Sequence, residues 1–226
     1  MISVTRDFPS ARVFPVRMDV ALPVAMVEGA TLSADDRMAD LIWETDPSIF
    51  TFIFDSLPVW RRLFPAEWLA MFGTQTAGQT RVAISGRRPV GLVNAFAGSE
   101  VPARFGATYA RQSAVLDDVA AARMRAAYDA MEWLFPRVPD DALYVLNLVV
   151  SPDCRGQDLG RRLVDEAGTK ARRLGLRSIH LDTAADNPAA GFYRRIGFRP
   201  LVESRAMSLP EGVVLPAHLR MARDVA

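Results

Sequence analysis

Tyr144-Val-Leu-Asn147-Leu-Val-Val-Ser-Pro-Asp-Cys154-Arg155-Gly-Gln-Asp158-Leu-Gly160 decides the fold of this chain. From Leu143 to Val150 apolar residues occupy both alternating faces, so the segment reads as a central strand covered on both sides and interrupted only by Asn147. A loop follows in which Arg155 precedes two glycines. Leu159, Leu163, Ala167, Ala171 and Leu174 then recur at intervals of four, four, four and three residues, which sets them on one face of a helix stopped by Gly175. Strand, glycine-bearing loop and helix in that order build an anion site. The first-turn N–H groups of a helix lack an intrahelical acceptor and carry partial positive charge, and glycine lets backbone approach a ligand closely. The loop is therefore expected to hold the pyrophosphate of a cofactor.

Downstream, Arg177–Thr183 reads as a strand with Ile179 and Leu181 inward and His180 toward a covering helix, and strand, helix, strand implies a parallel crossover. A short helix is expected next, with Asn187 as N-cap, Pro188 at the first helical position and Gly197 as the stop. Alternation over 204–209 and again over 218–223, around Pro210-Glu-Gly212, predicts a closing antiparallel hairpin. Upstream, Thr80–Ser85 and Val90–Phe96 flank a turn at Gly86 and read as another hairpin. Residues 97–141 form a long excursion with one amphipathic helix over 116–135. Such a connection either carries function as a lid, or covers the sheet, or makes a subunit contact in a homodimer. A helix is expected over 34–45, capped by Thr31 or Ser33, and another over 58–73, divided at Pro65. The aromatic density of the second is read as core in preference to a substrate pocket. Residues 1–31, broken by three prolines, suit an extended segment with one or two edge strands.

The 226 residues are 50% hydrophobic and 23% charged, enough for one sizeable core. A formal charge of +1 gives no compositional reason to expect nucleic acid or a membrane surface as partner. The single cysteine, Cys154, excludes an internal disulfide and a Cys-rich metal cluster, and His180 and His218 lie far apart, so no metal site is expected. No apolar run approaches the roughly 18 residues of a membrane span and no signal-like segment opens the chain, so a soluble cytoplasmic protein is expected.

The stretch Leu148–Gly160 resembles the acetyl-CoA loop of the GNAT superfamily of N-acetyltransferases, whose pattern is Arg or Gln, two residues, Gly, one residue, then Gly or Ala. Asn187-Pro-Ala-Ala-Gly-Phe-Tyr193-Arg-Arg-Ile-Gly197-Phe198 is similar to the family's Asn…Ala…Tyr…Gly-Phe segment. The two motifs stand in the right order, with room for one helix and one strand between them. The resemblance implies an α/β (α+β) fold: a mixed, mostly antiparallel central sheet with a central parallel strand pair, flanked by helices. Over 1–226 a single domain is expected, with 1–31 an extension, 97–141 a helical insertion before the cofactor strand, and 142–200 the acetyl-CoA-binding core.

The same resemblance implies acetyl-CoA as co-substrate, with no metal, and an amine of a small molecule or peptide as acceptor. Leu148, Val149 and Val150 would meet the pantetheine arm through main-chain groups. Arg155, Gly156, Gln157, Asp158, Leu159 and Gly160 would receive the pyrophosphate. Asn187 and Tyr193 complete the set, with Tyr193 as general acid for the departing thiolate, against a plain core role beside Phe192. Two departures stand out: Asp158 occupies the first motif glycine, and Asn187 precedes Tyr193 by six residues where seven is commoner. Glu100, Asp117, Asp118 or a water chain would serve as base. Asn147 either contacts substrate or satisfies a strand bulge, and Cys154 reads as a small loop residue because a covalent acetyl-cysteine needs an adjacent base. A non-catalytic acyl-CoA-binding protein of the same fold is the alternative.

Overall fold

A computed structural model describes residues 23–72, 78–207 and 209–225. Its frame is a seven-stranded sheet of order β1-β2-β3-β4-β5-β7-β6, made of β1 (Val24–Glu28), β2 (Thr80–Ser85), β3 (Arg88–Ala97), β4 (Ala142–Val150), β5 (Ser178–Ala184), β6 (Arg199–Ser204) and β7 (His218–Asp224). Every neighbouring pair is antiparallel except β4 and β5. That parallel pair is joined by the amphipathic helix α6 (Leu159–Arg173), whose inward residues include Leu159, Leu163, Ala167 and Ala171, as the spacing predicts. Leu174 departs from the expected face: it lies past the helix as its C-cap and is exposed.

The strand alternation splits the core between two faces. On one, Leu143, Val145, Ile179, Leu181, Leu219 and Met221 pack with α6 and with α7 (Ala189–Arg195). On the other, Val82, Leu92, Phe96 and Tyr144 pack with α1 (Asp36–Trp43), α2 (Pro47–Phe54), α3 (Leu57–Glu67), α4 (Val101–Val115) and α5 (Asp118–Ala130). The aromatic run in α3 and after it is core, as expected: Phe64 packs tilted against Trp68, Trp68 stacks on Phe72, and the buried indoles of Trp60 and Trp68 donate to the carbonyls of Ala39 and Leu32.

Several local expectations are corrected. Asp35, not Thr31 or Ser33, caps α1, accepting from the Met38 N–H at 2.8 Å. The helix α3 continues through Pro65, and the irregularity falls after it, in a π-helical turn over Trp68–Phe72. The excursion 97–141 holds two helices, with Leu116 and Asp117 at the break where one was expected to begin. The missed helix is α4, whose buried residues are Thr108 and Gln112, so hydropathy gave no stripe to follow. The strand expected at 204–209 lies at β6 instead. Its pairing ends at Ser204 opposite His218, the first residue of β7. One edge strand, β1, lies in the N-terminal segment; the rest of that segment, residues 1–22, is outside the described residues. Among the described residues no helix is long and apolar enough to cross a membrane.

Candidate active site

The strands β4 and β5 are paired only from Ala142↔Ser178 to Val145↔Leu181, although β4 runs on to Val150 and β5 to Ala184. The cause is visible in the pairing with β3, where Asn94 faces Asn147 but the next residue, Ala95, faces Val145. Leu146 is therefore an extra residue, a bulge that bends β4 and increases its twist. Beyond it the edge of β4 turned toward β5 has no strand partner among the described residues. Asn147 sits beside the bulge and lines the cleft; it donates from Nδ2 to Thr45 Oγ1 at 3.1 Å, with its Oδ1 buried and unpaired among the described residues.

The loop after β4 presents donors. Arg162 N donates to Asp158 O at 3.1 Å as the first helical bond, and no N–H from Gly156 to Arg161 has a backbone or side-chain acceptor among the described residues. Six adjacent amides are thus available at the positive end of α6. Two left-handed residues shape this turn, Gly156 at φ 78° and Asp158 at φ 59°. The first costs nothing for glycine, whereas an L-residue in that region is disfavoured by about 1 kcal/mol. Asp158 occupies the N-cap position of α6 without a side-chain capping bond; its carboxylate is exposed and accepts from Arg161 Nε at 3.1 Å. Arg155 turns back, donating from Nε to the carbonyl of Val150 at 3.0 Å, so it ties the loop to the end of the parted strand. Beside it Asp153 is held down to about 2 by hydrogen bonds from Ser151 and Arg88. Gly160 packs on α7: a Cβ there would lie 3.1 Å from the Phe192 ring.

These elements open into one cleft of about 1050 Å³. Leu148, Val149, Val150, Arg155, Gly156, Asp158, Leu159, Gly160, Asn187 and Tyr193 all line it; Gln157 does not, and its side chain donates to Asp153 O at 3.3 Å. Asn187 accepts from the Ala189 N–H at 2.8 Å, which places the N-cap position itself on Pro188, one residue later than expected. Tyr193 is 6% exposed, packed edge-on to Phe198 and beside Phe192, and its hydroxyl has no hydrogen-bond partner among the described residues. Burial alone pushes its pKa upward, so it stays protonated at neutral pH and is a donor.

Glu100, Asp117 and Asp118 do not line this cleft. Glu100 is paired with Arg104, and Asp117 caps α5 by accepting from the Ala120 N–H. The carboxylates that do line it include Asp46, Glu67 and Asp182. Asp46 caps α2 and its Oδ2 lies 3.0 Å from His218 Nε2, while His218 Nδ1 lies 3.2 Å from Pro216 O. Asp182 is clasped by Arg220 through two 2.8 Å bonds and by the Tyr144 hydroxyl at 2.9 Å. Sequence reading missed these groups. Asp46 before Pro47 has the form of a helix start, and Glu67 is a lone acid between Ala66 and Trp68, so both left a local trace. His180 lies elsewhere on β5, buried, its Nε2 3.1 Å from Ser178 Oγ and its pKa lowered by burial. Cys154 is a half-buried loop thiol at the cleft edge, 3.9 Å from an Arg88 guanidinium nitrogen.

A mixed sheet whose central parallel pair is bulged and parted, ahead of a loop of unpaired amides at a helix start, is a GNAT-like fold. Residues 112–200 match the model of the acetyltransferase (GNAT) domain. Among solved structures, a protein assigned to the GNAT acetyltransferase family in Desulfovibrio desulfuricans is 15% identical with a TM-score of 0.51, the match covering 90% of this chain and 100% of that one. Nourseothricin acetyltransferase is 20% identical with a TM-score of 0.43, over 65% of each chain. A Bacillus subtilis acetyltransferase solved in complex with CoA is 16% identical with a TM-score of 0.49, over 91% of this chain and 99% of that one. No curated protein sequence matches the chain.

Proposed function

We propose that the protein transfers acetyl from acetyl-CoA to a primary amine by direct attack of the amine on the thioester. The observation that carries this reading is the parting of β4 from β5 after Val145, immediately upstream of the unpaired amides of Gly156–Arg161. Main-chain groups of Leu148, Val149 and Val150 would bond the pantetheine arm as a missing strand would. The amides from Gly156 to Arg161 would take the diphosphate oxygens, with the Arg155 guanidinium adding charge and the remaining donor of Asn187 nearby. When bound, acetyl-CoA supplies an acyl group already activated as a thioester.

The chain's own work is then to move two protons. As the C–N bond forms and the C–S bond breaks, the Tyr193 hydroxyl gives its proton to the sulfur. The amine's proton passes by way of water in the cleft to the Asp46–His218 pair. A neutral imidazole satisfies one of its two facing acceptors, whereas the imidazolium satisfies both Asp46 and Pro216, so the pair has a place for one added proton.

Steady-state CoA release over a panel of primary amines tests the reading. Tyr193→Phe should lower kcat by about a hundredfold or more with little change in KM for acetyl-CoA, the range of a lost general acid. Measurable CoA binding with no release for any amine would instead identify a non-catalytic acyl-CoA-binding protein.

A further inference from the structure

Glu67 is 2% exposed, ends α3 and lines the cleft. Its Oε1 makes no hydrogen bond; the nearest cationic atom is Arg111 Nε at 3.5 Å, itself without a hydrogen bond. Arg111 is engaged elsewhere, donating from Nη2 to Thr108 Oγ1 at 3.0 Å. The ion pair only partly offsets the cost of burying the carboxylate: burial, the largest influence, pushes the Glu67 pKa up against the opposing influences of Arg111 and the Thr108 hydroxyl.

The surroundings are built for polarity. Thr108 and Gln112, the buried residues of α4, also line the cleft, and the Tyr128 hydroxyl donates to Gln112 Oε1 at 3.0 Å. Apolar residues at these positions would have served packing alone. Ile49, Phe50, Met71, Phe72 and Phe135 add apolar surface to the cleft, and Glu44, Asp46 and Glu132 line it as well. Tyr193 belongs to the core on the α6 and α7 face of the sheet, whereas α3 and α4 cover the opposite face. The reacting nitrogen has to lie where β4 and β5 part, within reach of Tyr193, so Glu67 faces a different part of the acceptor.

We infer that Glu67 recognises a second, protonated nitrogen of the acceptor, so that the substrate is an amine carrying two cationic groups on an apolar body. This rests on the acetyl-transfer reading for the identity of the cleft. It makes Glu67 a specificity-determining residue. The Arg111 guanidinium, which does not line the cleft, stands behind Glu67 and competes with the ligand for its charge.

Calorimetric binding to the CoA-saturated protein tests it, comparing p-xylylenediamine and 1,8-diaminooctane with benzylamine and octylamine. The diamines should bind about tenfold or more tighter than the matching monoamines, the scale of one ion pair shielded from water. Glu67→Gln should erase that difference and leave monoamine affinity unchanged. Arg111→Gln should tighten the diamines by about threefold and leave the monoamines alone, which decides the matter even if Glu67→Gln fails to fold. Equal binding of both classes to the wild type, or an equal weakening of both in Glu67→Gln, would overturn the inference. So would a Glu67→Gln enzyme that loses kcat while keeping its preference for diamines, since that is a proton-transfer role. Intact diamine preference without acetyl transfer to any amine would leave Glu67 standing and remove the transferase reading.

Discussion

His218 Nε2 lies 3.0 Å from Asp46 Oδ2, joining the first residue of the last strand to the cap of α2 across 172 residues of sequence. The contact closes one wall of the cleft, and Phe135 packs edge-on against the imidazole at a centroid distance of 5.2 Å. If the pair takes the amine's proton, His218→Gln, which can still donate to Asp46, should lower kcat by about ten- to a hundredfold. Affinity for acetyl-CoA, measured by calorimetry, should not change. An unchanged kcat in the variant would take His218 out of the proton path.

Asp158 pairs a left-handed backbone with a carboxylate at the start of α6, next to the free amides. Replacing it with glycine removes both the conformational cost and a negative charge facing an anionic ligand. Asp158→Gly should therefore tighten CoA by about three- to tenfold, corresponding to the ~1 kcal/mol range of each effect. Unchanged or weaker binding would count against an amide cradle at this loop.

The Asp182–Arg220 pair is a structural bolt beside the cleft, its side chains 5% and 3% exposed. Arg220 spends its remaining donors on the carbonyls of Pro136 and Arg137, fastening the return of the helical excursion to β5 and β7. The Tyr144 hydroxyl completes the set, its pKa driven up by burial and by the Asp182 charge. Arg220→Met alone should cost about 3–5 kcal/mol in urea denaturation, because it strands a buried carboxylate. The double variant Asp182→Asn with Arg220→Met should recover a large part of that loss.

Lys170, the only lysine, donates to Ala95 O at 2.6 Å, and burial, as the largest influence, lowers its pKa to about 8. The unfolded chain keeps this proton up to a pH near ~10.4, so between about 8 and 10.4 the unfolded state binds more protons and stability rises with pH. Relative to Lys170→Met, the wild type should gain about 1–2 kcal/mol on going from pH 7 to 10, after allowing for screening at a group that is not fully buried. Parallel urea curves at the two pH values measure the difference; a constant gap would refute it.

The backbone of this protein was legible because helix and strand periodicity is local. The run 143–150, the intervals of α6 and the turn at Gly86 each carry their reading within a few residues, and the motif around Arg155 and Tyr193 pointed to the same loop and helix. The helix α4 escaped because its inward face is polar, and the strand β6 was misplaced because alternation without a partner does not make a strand.

The opening stretch by itself determined a central strand, a glycine-bearing loop and a helix. Tertiary structure decided where β4 stops pairing with β5, since the bulge at Leu146 exists only in register with β3. It also decided which acids meet the cleft. Asp46, Glu67 and Asp182 acquired their partners from His218, Arg111 and Arg220, on elements that only the folded sheet and helical layer bring together. Main-chain hydrogen bonding of a helix or turn is fixed within a few residues, whereas the energy of a buried charge depends on whatever group the fold sets beside it.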